Sequence, residues 1–537
     1  MKKIVSAGIA VLAVLSLSGC SSSKEKSSEE KKEIAIATPA ELSTADVSLA
    51  MDNQSAEVAE QVNEGLYDFT ATGQLKPALA DGMPKVSNNG MTYTINLKHD
   101  GKWSNGKPVT ADDFVYGWQR TVDPKTKSEQ AYFLDGVKNY KEVNEGKMDP
   151  KEFGIKALGK YKLEIQLDHA IPYFPSIMAM SASFPLNKEF VESQGKKYGT
   201  TAKTTLYNGA YVLKGWDGTN DKWTYEKNPH YRDLKNVHLD KIKVTVVKSQ
   251  QTGVYQYESK DLDLFPISGT EVKNQENNKD LVVRKVPGTY YLSYNTQKTL
   301  FSNEKIRQAI SMSINFKQLT DKVLQDKSVP ATGFVPTGFK NPSTKTDFAK
   351  DAGSLNKYDP AKAKELWTKG LSELGMQSAE FSILCSNDDK TKRVVEFLQS
   401  QMESHLSNLK ISVKTVPFNS RLSAMRSGDF DTVLGGWTPT YADPTDFLNL
   451  LKSDNSNNSG KWKDSHYDQL IETANIKYAD DPAKRWETMQ EANKYVSEKS
   501  PLTPLYYLSN VYLINPHLKG VVMGPMGFPY YKNAYWK

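Results

Sequence analysis

The segment GGWTPTYADPTDF, residues 435–447, carries the side chains whose types and spacing best suit chemistry. Asp443 and Asp446 lie close together there, and Trp437 and Tyr441 stand beside glycines and prolines. Neighbouring carboxylates can act as general acid and base, whereas aromatic rings can hold a ligand or fill a core. The segment alone leaves three roles open: packing, catalysis and binding.

The rest of the chain lacks the patterns of common catalytic and metal centres. The 7 histidines form no metal-ligand pair at helical spacing, and no HExxH, Walker, GxGxxG or GxSxG motif occurs. Asp112 and Asp113 could form an acid/base pair, but carboxylates in the first turn of a helix are also favoured by the helix dipole. We therefore expect a binding protein without metal or cofactor rather than an enzyme, although lone carboxylates can still catalyse.

The N-terminus has the pattern of an export signal. Two lysines precede an apolar run, residues 4–17, that is too short to cross a bilayer comfortably. A basic start, a short apolar stretch and small residues at its end are typical of a signal peptide. We assign residues 1–19 to this signal.

The signal ends Leu-Ser-Gly-Cys at residues 17–20, which resembles the lipobox of bacterial lipoproteins. The resemblance implies cleavage before Cys20 and attachment of lipid to its sulfur. The alternative is an ordinary secretory signal that happens to end in cysteine. Residues 20–33 are polar, rich in Lys and Glu, and predicted to be a flexible tether, so the folded body is expected to begin near Ile34.

Composition narrows the class of protein further. The formal net charge of +6 comes from scattered charges without a basic stripe, so the sequence does not indicate nucleic-acid binding. Cys20 and Cys385 are the only cysteines, so no disulfide framework is expected, and Cys385 is predicted to be a core residue. The length predicts two or three domains. No later segment approaches about 18 consecutive apolar residues, so no second membrane crossing is expected.

Strand and helix patterns alternate along the chain, which predicts an α/β fold. Apolar and polar residues alternate with a period of two in residues 91–100, 161–168, 241–248 and 409–416, which predicts strands. Helical periodicity occurs in residues 111–122, 303–314, 360–371 and 391–406. Thr110, Asn303 and the Asp359-Pro360 pair are predicted to start the first three of these helices.

One long segment resembles a known family. YTINLKHDGKWSNGKPVTADDFVYGWQRTVDPKT, residues 93–126, is similar to the signature region of bacterial family-5 solute-binding proteins, particularly the oligopeptide-binding members of peptide ABC importers. Further similar segments follow the order of the family over nearly the whole chain after Ile34: residues 63–69, 172–185, 208–216, 228–233, 435–448, 454–462 and 504–513.

The resemblance implies a periplasmic-binding-protein-like fold of class II, cluster C. Two α/β lobes would be joined by a hinge, with an extra domain beside them, and would close over the ligand. The implied boundaries are residues 34–67, 193–287 and 507–537 for the discontinuous lobe I, 68–192 for domain II, and 288–506 for lobe III.

The resemblance also implies how a peptide would be held. An extended peptide pairs through its main chain with strands of the protein, so binding depends little on its side chains. Gly436, Trp437 and Thr438 would supply main-chain partners in lobe III. The other implied site residues flank the ligand or line its pockets: Gln54, Ser55, Tyr132, Phe133, Arg426, Tyr506 and Tyr507.

Three positions depart from the family pattern. Thr440 stands where oligopeptide binders have an Asp that holds the peptide α-ammonium. Leu434 and Thr391 replace an Arg and a His that serve the terminal carboxylate in some relatives. The ammonium could then remain in water, reach Asp443 or Asp446, or be absent from a blocked or longer peptide. We expect a preference for neutral, rather apolar peptides and no strict need for a free amine.

The resulting functional hypothesis is a monomeric, lipid-anchored receptor on the outer face of a Gram-positive cell membrane. It would deliver oligopeptides to the permease and ATPase subunits of an ABC importer. A receptor for hydrophobic signalling peptides such as pheromones is a close alternative. A binder of another small solute, such as a sugar, nickel or haem, and an exported peptidase are the alternatives from other classes.

Overall fold

A computed structural model of the chain describes residues 32–70, 74–524 and 527–537. The predicted signal peptide, Cys20 and nearly all of the predicted tether lie outside these residues. Within the described ranges, no helix combines the length and apolarity that a membrane crossing requires. The same ranges hold no group of three or more side chains suited to bind a metal ion.

The strands, in chain order, have the following bounds: β1 Glu33–Thr38, β2 Tyr67–Phe69, β3 Leu75–Pro77, β4 Lys85–Ser87, β5 Thr92–Asn96, β6 Ile155–Gly159, β7 Lys162–Gln166, β8 Tyr211–Lys214, β9 Lys222–Lys227, β10 Lys241–Val246, β11 Leu264–Ile267, β12 Leu281–Tyr294, β13 Val329–Pro330, β14 Ala379–Ser386, β15 Leu409–Val416, β16 Thr432–Trp437, β17 Leu502–Ile514, β18 Leu518–Lys519, β19 Val522–Met523, β20 Pro529–Tyr530 and β21 Tyr535–Trp536.

The α-helices have these bounds: α1 Asn53–Val62, α2 Ala111–Val122, α3 Tyr140–Asn144, α4 Phe174–Ile177, α5 Lys188–Gln194, α6 Gln250–Glu258, α7 Thr270–Asn274, α8 Thr299–Ser302, α9 Glu304–Met312, α10 Phe316–Gln318, α11 Phe348–Ala352, α12 Pro360–Glu373, α13 Asp389–His405, α14 Phe418–Ser427, α15 Thr445–Leu448, α16 Ser465–Glu472 and α17 Pro482–Lys499. Short 3₁₀ and π-helical segments connect several of them.

One large sheet runs through the molecule in the order β15-β14-β16-β12-β17-β11-β1-β10-β9-β8. Its two longest strands, β12 and β17, pair with each other antiparallel and join the two ends of the sheet. Their register shifts between Lys285 and Thr289, so the ladder is interrupted where the chain passes from one end to the other. These two strands therefore connect the two α/β halves.

Separate hydrophobic cores accompany the two halves and a third region. One core lies among residues 34–62, 202–264 and 512–534, and two more lie among residues 291–506. The small sheet β4-β5-β7-β6 packs on a further core, built almost entirely from residues 66–206. The structure thus has an α/β architecture, while the exact domain boundaries inferred from the sequence stay predictions.

The strongly periodic segments form the predicted elements. The helix predicted over residues 111–122 is α2, and the strand predicted over residues 409–416 is β15. Asp113 lies in the first turn of α2, where its carboxylate accepts the backbone N–H of Thr110 at 2.8 Å and the indole N–H of Trp103 at 3.3 Å. This carboxylate is therefore a helix cap. In another part of the chain, Cys385 is fully buried, as predicted.

Candidate ligand-binding site

A cleft lies between the two halves of the large sheet. Its main compartment has a volume of about 360 Å³ and is lined by α1, α14 and the end of β16, among other segments. A second compartment of about 310 Å³ shares Thr38, Glu57, Tyr290 and Phe418 with the first. The two compartments adjoin, and their size suits a small molecule or a short segment of extended chain.

The end of β16 presents an unpaired edge to this cleft. β14 pairs with β16 only at Thr432 and Val433, whereas β12 pairs with β16 as far as Trp437. The carbonyl of Leu434 points toward the Arg421 guanidinium on the β14 side, at 3.4 Å. Because main-chain groups of alternate residues face the same edge of a strand, those of Gly436 face the cleft as well. This edge can accept one more strand.

Glycine at position 436 lets the strand approach an aromatic ring closely. A Cβ atom built at Gly436 would lie 2.3 Å from a ring carbon of Tyr290, which is far inside van der Waals contact. Tyr290 itself stacks on Tyr506 with ring centroids 5.2 Å apart, so its ring has little room to move. Position 436 therefore requires glycine for the observed path of β16.

Asp446 fixes the segment that follows β16. Its carboxylate accepts the backbone N–H of Thr440 at 2.6 Å, the Thr440 hydroxyl at 2.8 Å and the Trp437 indole N–H at 3.4 Å. Burial raises the pKa of Asp446 to about 7, against the opposing effect of these donors. Trp437 and Thr440 line the cleft, and Asp446 holds both in place from behind.

Asp443 is committed to a buried ion pair. Its two oxygens accept hydrogen bonds from Arg485 at 2.7 and 2.8 Å, and Thr445 donates to it through both backbone and hydroxyl groups. Burial raises the pKa of Asp443, but Arg485 outweighs that effect and holds the pKa below its ordinary value. Neither Asp443 nor Asp446 is therefore available for a ligand ammonium, which removes one of the alternatives drawn from Thr440.

The opposite wall of the cleft is formed by α1. Gln54 lines the main compartment, and its carbonyl oxygen accepts the Thr38 hydroxyl, while its Nε2 has no partner among the residues that the structure describes. Ser55 is only 1% exposed, and its hydroxyl bonds to Ser43 at 2.7 Å. Of the two predicted residues on this wall, Gln54 faces the cleft and Ser55 instead holds the neighbouring loop.

The predicted aromatic residues divide between the cleft and the core. Phe133 lines the main compartment, whereas Tyr132 packs against Phe133 with ring centroids 4.1 Å apart and does not line it. Tyr506 is fully buried, and the Tyr507 hydroxyl accepts the backbone N–H groups of Thr332 and Gly333 at 3.1 Å each. The prediction that both tyrosines line ligand pockets is not met, because the Tyr506 side chain packs in the core and the Tyr507 hydroxyl bonds to a neighbouring loop.

Side-chain contacts bridge the cleft. The Thr438 hydroxyl donates to the Asn53 side-chain carbonyl at 3.1 Å, which joins the end of β16 to α1. Arg426 of α14 pairs with Glu129 at 2.8 Å and closes a second side. All four residues line the main compartment, so the structure has the closed arrangement of its two walls.

We expect Arg426→Ala to weaken ligand binding by no more than about fivefold, mainly by speeding dissociation. Both partners are partly exposed, and such pairs contribute about 0–1 kcal/mol. Stopped-flow dissociation rates would test this, with Lys494→Ala, which removes an exposed pair on α17, as the control. A hundredfold loss would contradict the expectation and indicate direct contact between Arg426 and the ligand.

Three charged side chains that line the cleft were missed from the sequence. Glu57 and Glu60 of α1 line the main compartment, and so does Arg421 of α14. Arg421 is 6% exposed, donates to the Ser386 hydroxyl at 2.9 Å, and makes no ion pair within the described chain. The preference for neutral peptides that we inferred from Thr440, Leu434 and Thr391 took none of these three ionisable groups into account.

A cleft between two α/β halves, bridged by side chains and offering a free strand edge, defines a solute-binding protein. The profile of bacterial extracellular solute-binding proteins, family 5 (middle part), matches residues 74–459, and the chain belongs to this family. The predicted α/β solute-binding fold is confirmed by these comparisons. Family membership also agrees with the absence of catalytic motifs from the sequence.

The chain is similar over almost its full length to proteins of known structure or assigned role. It is 35% identical over 525 residues to a dipeptide-binding protein of Lactococcus lactis subsp. cremoris, covering 95% of both chains. Listeria monocytogenes OppA bound to peptide superposes with a TM-score of 0.91 at 36% identity, covering 94% of this chain and 99% of that one. The pheromone receptor PrgZ gives a TM-score of 0.90 at 33% identity, covering 94% and 100%.

Proposed function

We propose that this protein captures oligopeptides outside the cell and delivers them to an ABC importer. The observation that carries the proposal is the free edge of β16 at Gly436 within the closed cleft. An extended peptide can extend the sheet at that edge through main-chain hydrogen bonds, which are the same for every sequence. The similarity to Listeria monocytogenes OppA bound to peptide supports this assignment.

The surroundings of the edge suit peptides of varied sequence. Phe133, Met180 and Phe418 provide apolar contacts in the main compartment, while polar groups such as Gln54 remain available to water or ligand. Side chains of a peptide can occupy such space without a unique fit, because water can satisfy the remaining polar groups. Affinity would therefore come mostly from the peptide main chain.

We further propose that lipid on Cys20 anchors the protein to the outer face of a Gram-positive cell membrane. The signal-like residues 1–19 and the lipobox-like residues 17–20 support this part of the proposal. Two acyl chains are enough for stable anchoring.

The Cys20→Ser variant is expected to appear in the culture medium, and membrane retention of that variant would refute the anchor. A monomer that hands peptide to the permease completes the proposed arrangement.

A receptor for signalling peptides is the second candidate. The similarity to the pheromone receptor PrgZ and the apolar lining of the main compartment favour it. The two functions differ in selectivity: a nutritional receptor binds many unrelated peptides, whereas a signalling receptor binds one cognate peptide much more tightly.

The proposal predicts that the purified protein binds short peptides of unrelated sequence but equal charge with similar affinities. Titration calorimetry with a panel of equally long peptides would measure this, after unfolding and refolding to remove ligand carried from the host. Mass spectrometry of the released material would identify such ligands independently. Binding of sugars but no peptides would overturn the proposal, and cleavage of the peptides would indicate an enzyme instead.

A further inference from the structure

Two carboxylates on α1 face the cleft without a cationic partner. Glu57 and Glu60 are spaced by three residues, which places them on one face of the helix, and both line the main compartment. Neither makes an ion pair or a hydrogen bond with any residue that the structure describes. Glu57 also lines the second compartment, so this carboxylate lies where the two compartments meet.

The other acids of the main compartment are already satisfied. Glu129 pairs with Arg426 at 2.8 Å. Asp52 caps α1 by accepting the backbone N–H of Ser55 at 2.9 Å. Glu57 and Glu60 thus differ from these two acids, because no described residue forms an ion pair or a hydrogen bond with their carboxylates.

Polar groups around the two carboxylates are also left without partners. Gln54, on the same helix, is 5% exposed and lines the main compartment, yet its Nε2 has no acceptor. The Tyr530 hydroxyl is buried near Glu60 and Glu57, and it forms no hydrogen bond within the described chain. Buried polar groups normally find partners, so this cluster lacks a component that a ligand can supply.

The missing component is positively charged and organic. Two carboxylates without an internal counter-ion attract a cation. The described residues hold no set of three ligands that would suit a metal ion. The free Nε2 of Gln54 is a donor, which suits a carbonyl oxygen beside the cation, as a peptide provides.

We propose that Glu57 and Glu60 form a subsite for a cationic group of the bound ligand. That group is a Lys or Arg side chain, or the α-ammonium that Thr440 cannot hold. This inference rests on the proposed peptide-binding function and names the peptide class that the cleft prefers.

The protonation of the two acids agrees with this geometry. Burial raises the pKa of Glu57 to about 8, and burial together with Asp68 raises the pKa of Glu60. At neutral pH Glu57 is therefore largely protonated in the ligand-free protein. An arriving cation favours the ionised form, so binding of a cationic ligand releases protons.

The test uses a set of equally long apolar peptides in which a single Lys is moved from one position to the next. Each peptide is paired with its norleucine counterpart and with its N-acetylated form. Calorimetry at pH 7 in buffers of different ionisation enthalpy gives both the affinity and the number of protons released. The protein variants are wild type, Glu57→Gln/Glu60→Gln, and Glu487→Gln/Glu491→Gln as the control on an exposed face of α17.

We expect at least one Lys position to bind about tenfold or more tightly than norleucine, or acetylation to weaken binding by a similar factor. The first result assigns the subsite to a side chain and the second to the α-ammonium. Either preference should be accompanied by proton release, and the Glu57→Gln/Glu60→Gln variant should lose both while the control keeps them. Thermal unfolding of each variant checks that it is folded.

The inference is overturned if neutral peptides bind and neither Lys nor the free amine improves binding. It is also overturned if the preference survives in the Glu57→Gln/Glu60→Gln variant. Both of these outcomes leave the proposed peptide receptor intact. If no peptide binds to the wild-type protein, the proposed function itself fails and the subsite fails with it.

Discussion

Replacing Arg485 by Met is expected to lower the free energy of unfolding by about 3–5 kcal/mol at pH 7. The guanidinium of Arg485 makes two hydrogen bonds to Asp443, and both side chains are nearly inaccessible. Removing Arg485 leaves a buried carboxylate without a counter-charge, which is far more costly than the loss of an exposed pair. Urea denaturation monitored by tryptophan fluorescence would measure the change.

The pH dependence distinguishes this explanation from a simple loss of packing. With Arg485 present, the pKa of Asp443 lies below its ordinary value, so the contribution of the pair is complete above that ordinary value and is lost as the pH falls through the lower pKa of the folded protein. The deficit of Arg485→Met should therefore shrink as the pH falls below about 4. The double variant Arg485→Met/Asp443→Leu should recover much of the stability. A deficit that is independent of pH would contradict the ion-pair explanation.

Replacing Gly436 by Ala should weaken peptide binding by about tenfold to a hundredfold. The added methyl group would lie 2.3 Å from the Tyr290 ring, so β16 or the ring must move. Overpacking of this kind costs about 1–3 kcal/mol, and the displaced main-chain groups are those proposed to pair with the peptide. Calorimetry with one tightly bound peptide would measure the effect.

Gly435→Ala provides the matched comparison for this substitution. A methyl group at Gly435 would meet only the flexible end of Arg421 at 3.3 Å and that of Met425 at 3.9 Å. We expect a clearly smaller loss of affinity there, although the two glycines are neighbours. Equal affinities for wild type and Gly436→Ala would show that this edge does not bind the peptide.

Local patterns were sufficient to predict many elements of the fold. The helix over residues 111–122 and the strand over residues 409–416 were predicted at their observed bounds, because their periodicity is strong and Thr110 marks a helix start. The order of strands in the large sheet, by contrast, could not be predicted from local patterns. It depends on pairings between segments about two hundred residues apart, such as β1 with β10, which local sequence patterns do not indicate.

The candidate site likewise combines residues that the sequence indicated correctly with residues that it did not. The resemblance indicated Gly436 and Trp437, and both line the cleft. It also indicated Tyr506 and Tyr507, but sequence alone does not show which face of β17 meets the cleft and which meets the core. Glu57 and Glu60 carried a usable signal, since two acids on a largely buried helix without a nearby Lys or Arg are unusual.

The unpaired edge at Gly436 has a consequence for how copies of this molecule coexist. Bare strand edges readily recruit one another, and long exposed ones start fibrils. Here the unpaired portion is only a few residues long and belongs to an inner strand of the sheet, inside the cleft. An edge so short and so placed offers little surface for pairing with another copy, so we expect concentrated protein to stay free of edge-to-edge aggregates.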